Sequence, residues 1–212
     1  MRSSIRAAHG PSFNSLSMKI LINLLLVLSS LSAPALDLVP NFINTEADGI
    51  SIRRPYFTDG AKKYSVTLNM ETELVAYEDG ALFRFIKLKH ADMRLRPSSF
   101  GVETKFGADT LERYQQAARK LLPQMAENVI LEQQIQNPMP INGWESQRFV
   151  FNYKTTAGVV RESITFLNIT PSQQVIVQVS AMDRDFADAS ERAWDIIRRW
   201  HELDSNSIRK GS

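Results

Sequence analysis

Apolar and polar residues alternate with a period of two over several long stretches of this chain, and the pattern then switches to the period of a helix. Phe149, Phe151 and Tyr153 alternate with Arg148, Val150 and Asn152, as a half-buried strand requires. After a break at Thr155–Gly158 the strand pattern resumes over Val159–Leu167, stops at Thr170-Pro171-Ser172, and returns as Val175, Val177 and Val179. Phe186, Ala189, Ala193, Ile196, Ile197, Trp200 and Leu203 then fall on one helical stripe. The spacing predicts a single amphipathic helix reaching Leu203, with Trp200 on the buried stripe and Trp194 on its flank.

Upstream, Tyr64–Arg96 reads as one long hairpin. Asp79-Gly80 is a two-residue turn signal, because such a turn needs positive φ. Setting Glu78 opposite Ala81 segregates Tyr64, Val66, Leu68, Met70, Leu74 and Ala76 from the polar positions of the first arm. That register puts Val66 opposite Met93 and Leu74 beside Phe85, with a bend near Lys87–Lys89. Ile50–Arg53 reads as a short strand stopped by Pro55 and by the Thr58-Asp59-Gly60 turn, and residues 36–49 as a tether with at most one short element. Asp109-Thr110-Leu111-Glu112 has the form of a capping box. It opens a helix whose stripe is Leu111, Tyr114, Ala118, Leu121 and Met125, ended by Pro123. Val129–Gln136 returns to strand character before the turn Asn137-Pro138-Met139-Pro140. This order predicts an α+β domain over residues 50–205, a mainly antiparallel sheet flanked by helices, with 206–212 as a flexible tail.

Several of these segments resemble a known family. They are Gly143-Trp144 ahead of Arg148-Phe149-Val150-Phe151, the neighbouring strand Ser163–Leu167, and Val175–Ala181 running into a helix that carries Phe186, Trp194, Ile196, Ile197 and Trp200. Together, over residues 129–203, they resemble the PsbP-like domains, which include the bacterial periplasmic DcrB-type proteins. The resemblance implies an α/β/α sandwich and an exported accessory or binding role, and it brings no shared catalytic set.

Composition sharpens the compartment. The N-terminus has the three parts of a secretory signal: Met18-Lys19, an apolar run Ile20–Leu28, and small residues ending Ser32-Ala33-Pro34-Ala35. Residues 1–35 therefore read as a signal peptide cleaved after Ala35, with Met18 an alternative start, and the mature chain as periplasmic or secreted. The apolar run is shorter than the roughly 20 residues a spanning helix needs, so membrane contact is expected only through the transient signal. The segment holds Arg2, Arg6 and Lys19 and no acid; removing these three from 25 basic residues leaves 22 against 23 acidic. A near-neutral mature chain gives no reason to expect nucleic acid. The chain has no cysteine, which excludes disulfides, thiolate nucleophiles and Cys-based metal sites.

Catalytic signatures are missing: there is no G-x-S-x-G elbow, S-x-x-K, H-E-x-x-H, P-loop or G-x-G-x-x-G. His90 and Asp92 share a strand parity that two metal ligands would use, without an evident third ligand, so no metal or cofactor is expected. Asp183, Asp185 and Asp188 open the last helix, where carboxylates cap free N–H groups; His201 reads as a cation at its C-terminus. Glu71 and Glu73 are expected to pair with nearby bases. The surface that stands out is basic: Arg84, His90, Arg94 and Arg96 on one face of the second hairpin arm, with Lys63 opposite Arg96 and Arg53-Arg54 nearby. It reads either as a site for an anionic partner or as a solvated strand face relieved by Glu71, Glu73 and Asp92. The expected function is an exported, non-catalytic accessory or binding protein of the cell envelope, with a protein or other envelope component as partner. The alternative is a hydrolase or a lipid- or anion-binding protein with a site assembled from dispersed residues.

Overall fold

In the computed structural model, residues 36–47, 49–138 and 143–203 are described; the proposed leader, its cleavage site, Met139-Pro140 and the 206–212 tail lie outside them. In chain order the elements are β1 (Asp37–Ala47), β2 (Ile50–Asp59), β3 (Lys62–Ser65), β4 (Thr72–Tyr77), β5 (Gly80–Phe85) and β6 (Asp92–Pro97). There follow α1 (Leu111–Lys120), β7 (Glu127–Gln136), β8 (Ser146–Thr155), β9 (Gly158–Thr170), β10 (Gln173–Met182), α2 (Phe186–Arg198) and the short β11 (His201–Glu202). Every described strand pair is antiparallel. The seven-stranded sheet has the order β4-β5-β6-β10-β9-β8-β7, and a four-stranded sheet the order β1-β2-β3-β11. The result is an α+β fold in which strands dominate.

Alternation along β10 explains the two cores. Val175, Val177, Val179 and Ala181 face α2, together with Phe83, Met93 and Leu95 from β5 and β6 and with Leu36 and Leu38 from the start of β1. Ile176, on the other parity, joins Phe149, Phe151, Ile164 and Phe166 under Tyr114 and Ala118 of α1. Each helix thus buries its stripe on a different side of the large sheet. On the α2 side the smaller sheet shares the cover, so that side is more than the single helix layer a plain α/β/α sandwich would have.

The meander β8–β10 and the bodies of both helices lie where hydrophobic periodicity places them. The hairpin does not. β4 and β5 pair with Leu74 opposite Phe83 and Tyr77 opposite Gly80, so the turn is Glu78-Asp79 and the strands are slipped from the expected register. The slip is an even one, which preserves the partition of faces. Its cause is Gly80: a Cβ there would stand 2.0 Å from the Leu95 carbonyl oxygen, so this glycine serves close strand approach and not the turn. The bend expected at Lys87–Lys89 is a full reversal between β5 and β6, and Met93 pairs with Phe83 and Val179, not Val66. Val66 directly follows β3 and is buried in the core on the α2 side.

The expected tether is strand β1, paired with β2 along nearly its whole length. β2 runs through Pro55, which is tolerated because β3 lies beside β2 only from Tyr56 onward, so no neighbouring strand asks for a proline N–H. The beginning of β1 is buried at Leu36, Leu38 and Pro40, whereas no described side chain between Asn41 and Arg54 is buried. That stretch of the β1–β2 hairpin forms an arm, carrying Phe42, Ile50 and Ile52 exposed to solvent.

α1 starts one residue beyond its expected cap, with Thr110 at the N-cap and no side-chain cap bond, and Met125 is exposed. α2 ends at Arg198. Trp200 and His201 lie beyond it, so His201 is a strand residue opposite Ser65 and not a helix-terminal cation. Trp194 and Trp200 are both 3% exposed, so the flank position expected for Trp194 does not hold. No helix among the described residues is long and apolar enough to cross a membrane.

Candidate functional site

The face of the large sheet that carries α1 is only partly covered by it. Register gives this face as rows. One row runs Glu73, Arg84, Asp92, Ser180, Glu162 and Phe151; the next runs Val75, Leu82, Arg94, Gln178, Ile164 and Phe149. The third includes Arg96, Ile176 and Phe166. The apolar right-hand ends of the rows lie under α1, and the charged positions Arg84, Asp92, Arg94 and Arg96 lie to the left, on β5 and β6.

The structure therefore brings Arg84, Arg94 and Arg96 onto one face, from two adjacent strands. His90 is not with them: it is exposed in the β5–β6 turn at φ +60°. Lys63 pairs with Thr58 in the smaller sheet, far in topology from Arg96. Each of the three arginines has a carboxylate. Arg84 lies 3.4 Å from Glu73, Arg94 3.5 Å from Asp92, and Arg96 2.7 Å from Glu78. Arg94 also lies over the Tyr77 ring, 5.2 Å from its centroid. The charges of the face cancel locally. Glu71 pairs with Lys87 and with Arg192, as expected for that carboxylate. Asp183 and Asp188 pair with Arg161 and Arg192, and Asp185 holds the N-cap position without a side-chain cap bond, so ion pairing replaces the capping role foreseen for them.

Beneath the charged rows lies a polar cluster that hydrophobic periodicity passes over. The Tyr153 hydroxyl and the Gln178 amide both donate to the Glu162 carboxylate, and Gln178 also reaches the carbonyl of Leu121 at the end of α1. Glu162 is 1% exposed. Burial raises its carboxyl above the ordinary range, against the lowering influence of the Tyr153 and Gln178 hydrogen bonds. Burial and the Glu162 charge push the Tyr153 phenol up in the same way. Asp92 is also raised by burial, with Arg94 and Arg84 opposing. The sequence holds a signal for this cluster: in Glu162-Ser163-Ile164-Thr165-Phe166, a charge takes the parity of two core residues.

A raised carboxyl means that the folded chain holds a proton the unfolded chain releases. Glu162 therefore favours the fold below its unfolded pKa, near 4.3, and that contribution is lost as pH rises through the folded value. Urea midpoints of wild type and Glu162→Gln, measured at pH 4 and pH 7.5, test this. The wild type should compare best with the variant at pH 4 and lose ground by pH 7.5; a difference unchanged with pH would place Glu162 in the ordinary range.

Beside the charged rows, a cleft of about 400 Å³ opens along the flank of α1. Phe100, Phe166, Ile176 and Leu121 give it an apolar floor, and Arg113, Gln116 and Lys120 rise from exposed positions of the helix. Among the described residues no carboxylate lines it. Ile176 is in register with Arg96, so the cleft adjoins the face found in the sequence. A reading of α1 for its buried stripe alone does not find these cations. Among the described residues no group of three or more His, Asp or Glu side chains is gathered as a metal ion would need.

No protein-family model matches the chain, and neither does any curated protein. Two solved structures are similar in arrangement. One is LpqN, involved in cell envelope biogenesis of Mycobacterium tuberculosis, at 9% identity over 78% of this chain and 92% of that one, with a TM-score of 0.46. The other is PA94 from Pseudomonas aeruginosa, a protein of unknown function, at 12% identity over 73% of this chain and 94% of that one, with a TM-score of 0.36. These values describe a loose likeness of element arrangement. The PsbP-like and DcrB-like resemblance gains no family match.

Proposed function

We propose that this protein is an exported, non-catalytic accessory protein of the cell envelope that holds an acidic, partly apolar segment of a partner in the cleft along α1. The observation that carries the reading is the pairing of an apolar floor with the cations Arg113 and Lys120 and no carboxylate among the described lining residues. An anionic chain with one apolar side chain is complementary to such a cleft. The perturbed carboxyl speaks against hydrolysis at this face. Glu162 is sealed from solvent with both oxygens occupied, an arrangement that fixes the sheet and α1 and presents no reactive atom. Export rests on the tripartite N-terminal pattern.

Cross-linking to the exported fraction tests the reading. Arg113→Glu combined with Lys120→Glu should lower partner recovery about tenfold and lower the urea midpoint only slightly, since both side chains are exposed and the reversal at Lys120 costs about 0.3–1 kcal/mol at the end of α1. Added salt should act in the same direction, because exposed charges are screened over about 8–10 Å. Recovery indifferent to both the reversals and salt would remove the cleft from consideration. Turnover of a substrate that Glu162→Gln abolishes would replace the binding reading with the hydrolase.

A further inference from the structure

A second cavity, on the opposite side of the topology, carries an inference independent of the cleft. It has a volume of about 380 Å³ and opens where β3 leaves β2. β2 has β3 beside it only from Tyr56 to Asp59, so residues 50–55 keep one strand edge without a sheet neighbour among the described residues. The cavity occupies that edge. Arg53, Arg54 and His201 line it, as do the hydroxyl residues Ser65 and Thr67. Its apolar side is Ile52, Pro55, Val66 and Leu68, and among the described residues no carboxylate lines it.

The charge here differs from that of the large sheet. Arg84, Arg94, Arg96, Arg161, Arg192 and Arg199 all have a carboxylate within 4 Å. Among the described residues no carboxylate stands within that distance of Arg53 or Arg54; Arg53 instead lies over the Phe42 ring, 4.0 Å from its centroid. As consecutive strand residues the two leave β2 on opposite faces, so the cavity at the strand edge is reached from both. His201 is fixed by its Nδ1, which donates to the carbonyl of Arg199 at 2.8 Å and leaves Nε2 for the other side of the ring. Ser65 donates to the Pro55 carbonyl at 2.7 Å, which holds the wall of the cavity against the free edge.

Two guanidiniums with no described carboxylate within 4 Å, an imidazole and the Thr67 hydroxyl beside an apolar wall suit one chemical class. We propose that this cavity binds a phosphate ester, with the phosphate held by Arg53, Arg54 and His201 and the ester carbon chain lying on Ile52, Val66 and Leu68. The same chemistry is offered by a soluble alkyl phosphate and by the head group of an anionic phospholipid.

Calorimetric titration with inorganic phosphate and with hexyl phosphate, and flotation with phosphatidylglycerol or phosphatidylcholine vesicles, test the assignment on the whole chain. Hexyl phosphate should bind saturably and more tightly than inorganic phosphate. Arg53→Ala with Arg54→Ala should weaken that binding by roughly 25-fold, from about fivefold per cation, and leave the urea midpoint unchanged. The Arg113→Glu, Lys120→Glu variant should bind as wild type does, which separates this cavity from the cleft along α1. Flotation with phosphatidylglycerol but not phosphatidylcholine vesicles, lost in the double alanine variant, identifies the source as a lipid head group; absence of flotation with hexyl phosphate binding intact identifies a soluble ester. Failure of both hexyl phosphate and phosphatidylglycerol vesicles to bind, or binding untouched by the double alanine variant, overturns the proposal.

Discussion

Trp200→Ala should cost about 3–5 kcal/mol of unfolding free energy, the usual range for deleting a buried tryptophan side chain. Trp200 stacks on Phe57 with ring centroids 5.0 Å apart and on Tyr64 at 5.8 Å, with interplanar angles of 18° and 20°. Those partners lie on β2 and β3, while the residue itself follows directly from α2. The indole is therefore the piece that fastens the smaller sheet to the helix, and its loss opens a cavity between layers that cannot easily collapse. Its Nε1 is buried without a hydrogen-bond partner. Trp200→Phe keeps the stacking and removes that orphan donor, so it should cost under about 1.5 kcal/mol. Urea midpoints decide both. A phenylalanine variant as damaged as the alanine one would show that stacking is not what the indole supplies.

Gly80→Ala should cost about 3 kcal/mol, at the upper end for an added methyl group in a packed interior. The new Cβ would meet the Leu95 carbonyl oxygen at 2.0 Å and the Arg96 Cα at 3.1 Å, both backbone atoms that no rotamer change can move. β5 and β6 would have to part at the row that ends in Arg96. Gly49→Ala provides the control. That glycine has φ +76°, and a methyl group added to it would meet nothing within 4 Å, so only the left-handed backbone is penalised, by about 1–2 kcal/mol. Equal midpoints for the two variants would reject the Gly80 packing described above.

These residues also show where sequence reasoning reaches its limit. Strands β8, β9 and β10 were legible because each buries a regular alternation under a helix, and the two helices were legible from their stripes. The first hairpin was legible in its faces but not in its register, because parity survives a slip of two residues and the glycine that fixes the slip acts on a strand 15 positions away in the chain. β1 was hidden by its composition. It presents Leu36, Leu38 and Pro40 to the core and leaves Asn41 onward exposed, a half-buried pattern that resembles a tether. The arginine face was found, but neutralisation by Glu73, Asp92 and Glu78 depends on pairings that only the true register shows. Glu162 could have been flagged from parity alone. The cations of α1 and of the arm could not, since what distinguishes them is the absence of an acid nearby in space among the described residues.

The large sheet is two local meanders, β4-β5-β6 and β7-β8-β9-β10, joined at one seam where residues 92–97 pair with 175–180. Within each meander successive strands are neighbours in the chain, so their hairpins close short loops. Within the large sheet only the seam requires the chain to bring together segments about 80 residues apart, and α1 and β7–β9 must be in hand before the reward for closing it is complete. Loop-closure entropy makes that step the slow one. Until it occurs, β6 and β10 are open edges with Val177, Val179, Met93 and Leu95 uncovered, and a nascent chain is most exposed to wrong pairing there. Under the proposed export, in which the chain crosses a membrane before it folds, this seam would set how long the chain must be shielded.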